Sequence, residues 1–516
     1  MSKLTGVLRE HGVNTLTGAS VAPYFGTGAD GDLVVDVNPV PIAPAQITTA
    51  YGGAVANLVD GDSATYFQTT NVPATNGVVF QIDFGQSVYI DVFNLKKLTT
   101  GSNVIGVETA KLQYSNNGTS WTVFGNNVVN NTSATVEKDY ALTAQPVSAR
   151  YWRLVHTYDV GRTYKIAEIS AQMRYTYLPV QNQDETTLVM NYRSITINKD
   201  AVLAPDKRCR GILLYSQGDV TLDGVIDVSG KAAFVNPETT LQMILPLAVK
   251  KIMQFDPSGN KFIVIPKGGY GGAGGNGGGY APTTGRGGAG GFGTWYGGGV
   301  GGGGGGGRGF EYVTYKWGYG GNGGEGSSGP GSASTRFVQG VGPVFLQGNN
   351  GGIGAGGSGG LVIGNTGVIA NSGNGGSSLQ GGGGGGGGGL GTYYNSTSAG
   401  DGGIGRNLGG GALILVARGS ITISSTGVID ANATGSAGVG GVGVAYGDSN
   451  NDGGGGGGGG GAGGGTVTII HKGTFSNLGT ITVNGSAGGV GGVGAPNGQN
   501  GSAGGIGSIA VYNLNN

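Results

Sequence analysis

The sequence predicts an all-β protein, on three observations. Glycine supplies 120 of the 516 residues, about three times the usual share of about 7%. Short apolar blocks with strand character recur between the glycine runs. The first third alternates apolar and polar residues with period two, as in VVFQIDFG from Val78 and YWRLVHTY from Tyr151, which is the pattern of half-buried strands.

The glycine content restricts the architecture further. Glycine has the most backbone freedom to lose on ordering, so so many glycines either stay unordered or occupy a geometry that only glycine adopts. Charged residues make up 11% of the chain, and 28 Lys and Arg balance 28 Asp and Glu. That balance lacks the basic footprint of a nucleic-acid binder and the charge excess of a solvated disordered chain. One cysteine, Cys209, leaves no disulfide framework and no Cys zinc site, and it reads as a reduced thiol of a protein folded in a cytoplasm. The opening MSKLTGVLREHG has no apolar stretch of signal-peptide length, and no run of about 20 apolar residues provides a membrane span. Such a chain fits a virion part released by lysis; a chain that has lost its leader is the plain alternative.

Four regions follow. Residues 1–40 form a short polar attachment segment with a turn-rich FGTGADG from Phe25. Residues 41–175 have ordinary composition and predict an antiparallel β-sandwich. Residues 176–265 predict a β-rich connecting domain, in which LQMILPLAVKKIM (Leu241 to Met253) is the best helix candidate despite Pro246. In residues 266–516, glycine blocks alternate with strand blocks. Here GILLYSQGDVTLDGVIDVSG (Gly211 to Gly230), ALILVARGSITISSTGVIDANATG (Ala412 to Gly435) and TVTIIHKGTFSNLGTITVNG (Thr466 to Gly485) repeat one another, with a degenerate copy from Leu361 to Gly373. Each copy is a set of short strands that cannot bury its apolar face alone, the signature of stacked β-rungs. The glycine blocks between them are either flexible linkers or a packed array of polyglycine-II helices, whose close backbones only glycine permits. Interleaving with strands favours the array.

One set of motifs is more specific. NLVDGDSATYFQT (Asn57 to Thr69), QIDFG (Gln81 to Gly85), LQYSNNGTSWTVF (Leu112 to Phe124), ARYWRL (Ala149 to Leu154) and AEISA (Ala167 to Ala171) together resemble the discoidin, or coagulation factor 5/8 C-type, family, which includes carbohydrate-binding modules. The resemblance covers about 130 of the 516 residues and implies a discoidin-like jelly-roll sandwich. Phe67 stands where that family usually has Trp. The resemblance also implies a structural Ca²⁺, which carried over by position would be held by Asp60, Asp62, Thr65 and Glu168. Ca²⁺ takes six to eight hard oxygens, and three carboxylates with a hydroxyl supply a good fraction. An Asx-type turn without metal is the competing reading. Ligand contacts in such modules lie in loops at one end, and the candidates are Tyr51, Tyr66, Asn71, Asn76, His156, Tyr158 and Arg162. Packing at a strand end is the competing reading for His156 and Tyr158. Aromatic residues set in the glycine blocks, Trp295, Tyr296 and Trp317 among them, are either rigid binding anchors or plugs between the array and the rungs.

FGTGADG, the stretch from Arg193 to Gly230 and the glycine-rich rungs resemble glycine-rich bacteriophage tail and fibre proteins, with the discoidin-like module set between them. That resemblance implies a tail-tip receptor-binding protein of the virion, assembled in the host cytoplasm, homotrimeric, joined to other tail proteins through its N-terminal segment and directed at a bacterial surface glycan or protein. Neither nucleic acid nor membrane insertion is expected. Catalysis is poorly provided for: His11, His156 and His471 are far apart, Cys209 has no partner pattern, and GxGxxG matches arise by chance in so glycine-dense a chain. A binding protein is therefore expected. The rivals are a bacterial surface adhesin, a structural virion protein without receptor binding, and a depolymerase using paired rung carboxylates such as Asp227 and Asp430.

Overall fold

The computed structural model describes residues 25–73, 76–100, 107–126, 128–130, 137–157, 161–233, 271–277, 401–443, 454–494 and 497–513, with residues 287, 302 and 304–305 and five short strands between 309 and 392. Apart from two 3₁₀ turns, at Pro44–Gln46 and Val55–Leu58, the described elements are strands. No helix among the described residues is long and apolar enough to cross a membrane. The helix expected at 241–253 lies outside the described residues. Two compact units result, one of Val35–Thr176 with Asp200–Val202, the other of Met1–Val34, Tyr177–Lys199 and Leu203–Asn516.

The first unit is the sandwich. Its backbone is a pair of long antiparallel strands, Val78–Thr100 and Lys138–His156, which pair from Val78 with Val155 to Leu98 with Lys138. Register shifts between Asp83 and Val88, Ile90 and Val92, and Leu95 and Leu98 interrupt the ladder. Such bulges bend a strand, so one ladder serves more than one face. Glu168–Met173 flanks Val78–Thr100 on one side, and Val107–Ser115 flanks Lys138–His156 on the other. Alternation then selects the core: Trp152, Leu154 and His156 point inward while Tyr151 and Arg153 are only partly buried. Trp152 is the hub, with Phe124 edge-on at 5.0 Å, Tyr114 at 5.6 Å and Phe93 stacked at 6.4 Å between ring centroids. Phe67 is fully buried in this core. One charge is taken inside: Asp91, fully buried, accepts from the Arg174 backbone N–H at 2.9 Å and from its Nε at 2.7 Å.

The second unit is a stack of rungs. Three parallel sheets run through it, and each repeat contributes one strand to each sheet. Ile212–Ser216, Val220–Leu222 and Val225–Asp227 form one rung; Ala412–Ala417, Ile421–Ile423 and Val428–Asp430 the next; Thr466–His471, Phe475–Asn477 and Thr480–Thr482 the third. They stack in strict register, Ile212 on Leu413 on Val467 and Asp227 on Asp430 on Thr482. An earlier rung, built from Leu188–Tyr192, Ser194–Ile197 and Val202–Pro205, lies before these three in the sheets. Residues 177–199 and 203–233 thus belong with the glycine-rich region, where the sequence reading had a separate connecting domain. Asp32–Val35, expected in an attachment segment, is an edge strand beside Ser194–Ile197. The degenerate copy at Leu361 departs from expectation: Leu361–Ile363 pairs antiparallel with Val344–Leu346 and stays out of the rung sheets.

Between rungs the glycine segments pack backbone against backbone. Residues 454–465 are buried throughout. Their N–H groups turn to a different neighbour at each successive residue: Gly456 and Gly459 donate to Gly441 and Gly438, Gly457 and Gly460 to Gly305 and Gly302, Gly458, Gly461 and Gly464 to Gln499, Ser502 and Gly505. Carbonyls of the same segment accept from Gly492 and Gly489, from Gly275 and Gly272, and from Gly410 and the Asn407 side chain. The hydrogen bonds therefore recur every third residue and reach neighbours on all sides. A Cβ on Gly458 would lie 2.0 Å from the Gly489 carbonyl oxygen, and one on Gly461 2.1 Å from that of Ser486. No side chain fits there.

Candidate functional site

Three loop segments of the sandwich are tied together at one end. Thr70 donates its backbone N–H and its hydroxyl to the Tyr51 carbonyl, at 2.6 and 2.8 Å. Val72 and Arg162 exchange backbone hydrogen bonds at 2.7 and 2.9 Å, and the Asn76 N–H reaches the His156 carbonyl at 2.9 Å. Asn76 holds φ of 69°, a left-handed conformation that Asn tolerates better than most residues. Two glycines allow the close approach. Gly53, at φ of +98°, would place a Cβ 2.5 Å from the Phe67 ring, and Gly161 would place one 2.8 Å from Asn71 Nδ2. The result is a small polar platform: Asn71 and Asn76 are exposed, and Tyr51 and Arg162 are partly so.

Four of the expected ligand residues, Tyr51, Asn71, Asn76 and Arg162, therefore share this end. His156 does not serve there. It is fully buried, its Nδ1 lies 2.7 Å from the Tyr164 hydroxyl, and the inward alternation from Trp152 explains why: packing at a strand end holds for it. Tyr66 is engaged elsewhere, its hydroxyl donating to Glu137 Oε1 at 2.5 Å and its ring lying 3.6 Å from Lys165 Nζ. Tyr158, Trp295 and Tyr296 lie outside the described residues, and of Trp317 only the backbone is described, in the strand Lys316–Gly318. A further outward set went unread in the sequence. Arg153 lies 3.9 Å above the Trp121 ring and donates to Gln113 at 2.9 Å, while Arg150 makes a bidentate pair with Asp83 and lies 4.7 Å from the Tyr151 ring. Only strand register brings these residues together, with Arg153 opposite both Gln81 and Gln113.

The acidic turn is a second feature of the sandwich. Asp60 Oδ1 accepts from the Asp62 N–H at 2.9 Å, and its Oδ2 accepts from the Thr65 hydroxyl at 2.7 Å. These two donors hold Asp60 below the ordinary carboxylate range. Glu168 opens the strand Glu168–Met173 and faces Asp60. Desolvation, then the facing Asp60 carboxyl, raise its pKa, and its Oε1 is buried without a hydrogen-bond partner. An orphaned carboxylate oxygen beside a second carboxylate and a hydroxyl suits a hard cation. Asp62 contributes differently from expectation: its Oδ1 accepts from the Ala64 N–H at 2.9 Å, as an Asx turn does. Among the described residues no cluster of three or more His, Cys, Asp or Glu side chains forms.

An antiparallel sandwich with loops tied together at one end and an acidic turn is a discoidin-like β-sandwich module. Residues 44–170 match the family model of the F5/8 type C domain. Several solved structures are similar to a part of the chain. A family 32 carbohydrate-binding module from a family 31 glycoside hydrolase of Clostridium perfringens is 19% identical, with 25% of this chain and 96% of that chain covered and a TM-score of 0.20. The family 32 module of C. perfringens NanJ, solved with galactose, is 15% identical over 27% of this chain and 100% of its own, with a TM-score of 0.21. The corresponding module of AlyQ, solved with 4,5-unsaturated mannuronic acid, is 14% identical over 26% of this chain and 96% of its own, at a TM-score of 0.20. No curated protein matches the chain in sequence.

Proposed function

We propose that the protein is a non-catalytic receptor-binding component of a bacteriophage tail, whose sandwich captures a glycan of the bacterial surface. The observation that carries this reading is the loop platform of Asn71, Asn76, Arg162 and Tyr51. Two amides and a guanidinium supply donors and acceptors for sugar hydroxyls, and a ring edge supplies an apolar contact. The match of residues 44–170 to the F5/8 type C domain supports glycan as the ligand class. The phage assignment rests on the resemblance of the glycine-rich rungs to tail proteins. In the same reading Asp60 and Glu168 hold a structural Ca²⁺, with the Thr65 hydroxyl beside them. Asp60 and Glu168 would hold the ion between the turn and the strand that begins at Glu168, and bound there it would neutralise the two facing carboxylates. Weak single-site binding is multiplied when several copies engage one surface.

The test is a glycan array and whole-cell binding with the full chain and with Asn71→Ala and Arg162→Ala. Loss of one charged donor from a small polar site is expected to weaken binding about tenfold or more. Binding unchanged in both variants refutes the platform. Falling viscosity of a bound polysaccharide on incubation would instead favour a depolymerase.

A further inference from the structure

Among the described residues, the last strands of the rung sheets form an edge without the usual protection. Phe475–Asn477, Thr480–Thr482 and Ser508–Asn513 are each the last strand of their parallel sheet. Unpaired edges are normally blunted by charge, proline or a covering element, because their free N–H and C=O groups recruit other chains. Here no Asp, Glu, Lys, Arg or His follows Lys472 in the sequence. Large apolar side chains stand out instead: Leu478, between two of these strands, is 74% exposed, and Ile509 and Val511, on the third, are 45% and 42% exposed.

The opposite edge is different. It carries Asp32 and Arg193, an ion pair at 2.8 Å with both side chains exposed, so stacking the two unlike ends head to tail would cover charges with apolar surface. Two uncharged edges match each other. One two-fold operation covers both and closes the assembly. We propose that the edge formed by 475–482 and 508–513 docks a second copy of this chain about a two-fold axis, Ser508–Asn513 running antiparallel to its counterpart.

The test is sedimentation of the full chain over a concentration series. Twice the chain mass is expected, with the dimer weakened at least about tenfold by Ile509→Lys with Val511→Lys and unaffected by Tyr89→Lys, on an exposed site of the sandwich. A single-chain mass at all concentrations, a dimer that ignores the paired lysines, or the trimer implied by the fibre resemblance would each overturn the proposal. Should the lysine variant lose its β-sheet circular dichroism, Val511→Cys decides. Mild oxidation is expected to link two copies of it, and a mixture in which Val511→Cys instead links to Val34→Cys, on the opposite edge, overturns the two-fold arrangement.

Discussion

The two units of this chain exclude water by opposite means. The sandwich uses large side chains: Trp152 has aromatic rings at 5.0 to 6.4 Å around it, and Phe80 and Phe93 extend the layer. The glycine segments use no side chains at all, and residues 454–465 are as buried as the aromatic core because neighbouring backbones occupy the space where a Cβ would stand. An apolar core tolerates a change of shape by repacking side chains. A backbone lattice has no rotamers to adjust.

The largest effect should come from the aromatic hub. Trp152→Ala is expected to cost about 3–5 kcal/mol and, in a calorimetric scan, to lower the transition of the sandwich while leaving that of the rung unit in place. A common shift of both transitions would deny the independence of the two units. The counterpart is Gly458→Ala, a single methyl group. Overpacking by one carbon usually costs about 1–3 kcal/mol, and here the upper part of that range is expected, confined to the rung unit, since the obstructing atom is a carbonyl oxygen. A shift below about 0.5 kcal/mol, ordinary for a surface site, would show that the array yields.

Calcium offers a third contrast, because among the described residues the acidic turn belongs to the sandwich. Ca²⁺ at about a hundred times its Kd is expected to stabilise that unit by about 2.7 kcal/mol, and Asp60→Ala should abolish the gain. The sign with pH follows from Glu168. Its pKa is raised above the ordinary 4.5, so its contribution to stability is complete below that value and lost as pH rises through the folded value. Ca²⁺ replaces the missing proton. Its stabilising effect should therefore be larger at pH 7 than at pH 4.5, as thermal melts with and without chelator will show. The smallest effect concerns Cys209 in the rung unit. Burial pushes its thiol up to about 11, so alkylation of the folded protein at pH 8 should be far slower than that of the denatured chain.

The sequence carried the sandwich and the rungs because both write side-chain patterns. Period-two alternation around Trp152 and the repeated apolar blocks at Ile212, Leu413 and Val467 are legible without coordinates. The rung from Leu188 to Pro205 matched no repeat closely enough to be joined to the others. The site was readable only in part. Asn71, Asn76 and Arg162 stood out as polar loop residues, whereas the burial of His156 depends on which face of a strand it occupies, and that parity is set by pairing with partners far away in sequence. The stack of Arg153 on Trp121 depends on the same register. In the glycine blocks nothing distinguishes a linker from a lattice locally, since only the distant segments that accept each N–H make the difference.

The sandwich enters the chain at Val35 and leaves it at Thr176, and its first and last long-range partners, Asn38–Val40 and Glu168–Met173, lie side by side, with Asn38 opposite Met173. A cassette whose two ends emerge together spans little distance between its attachment points.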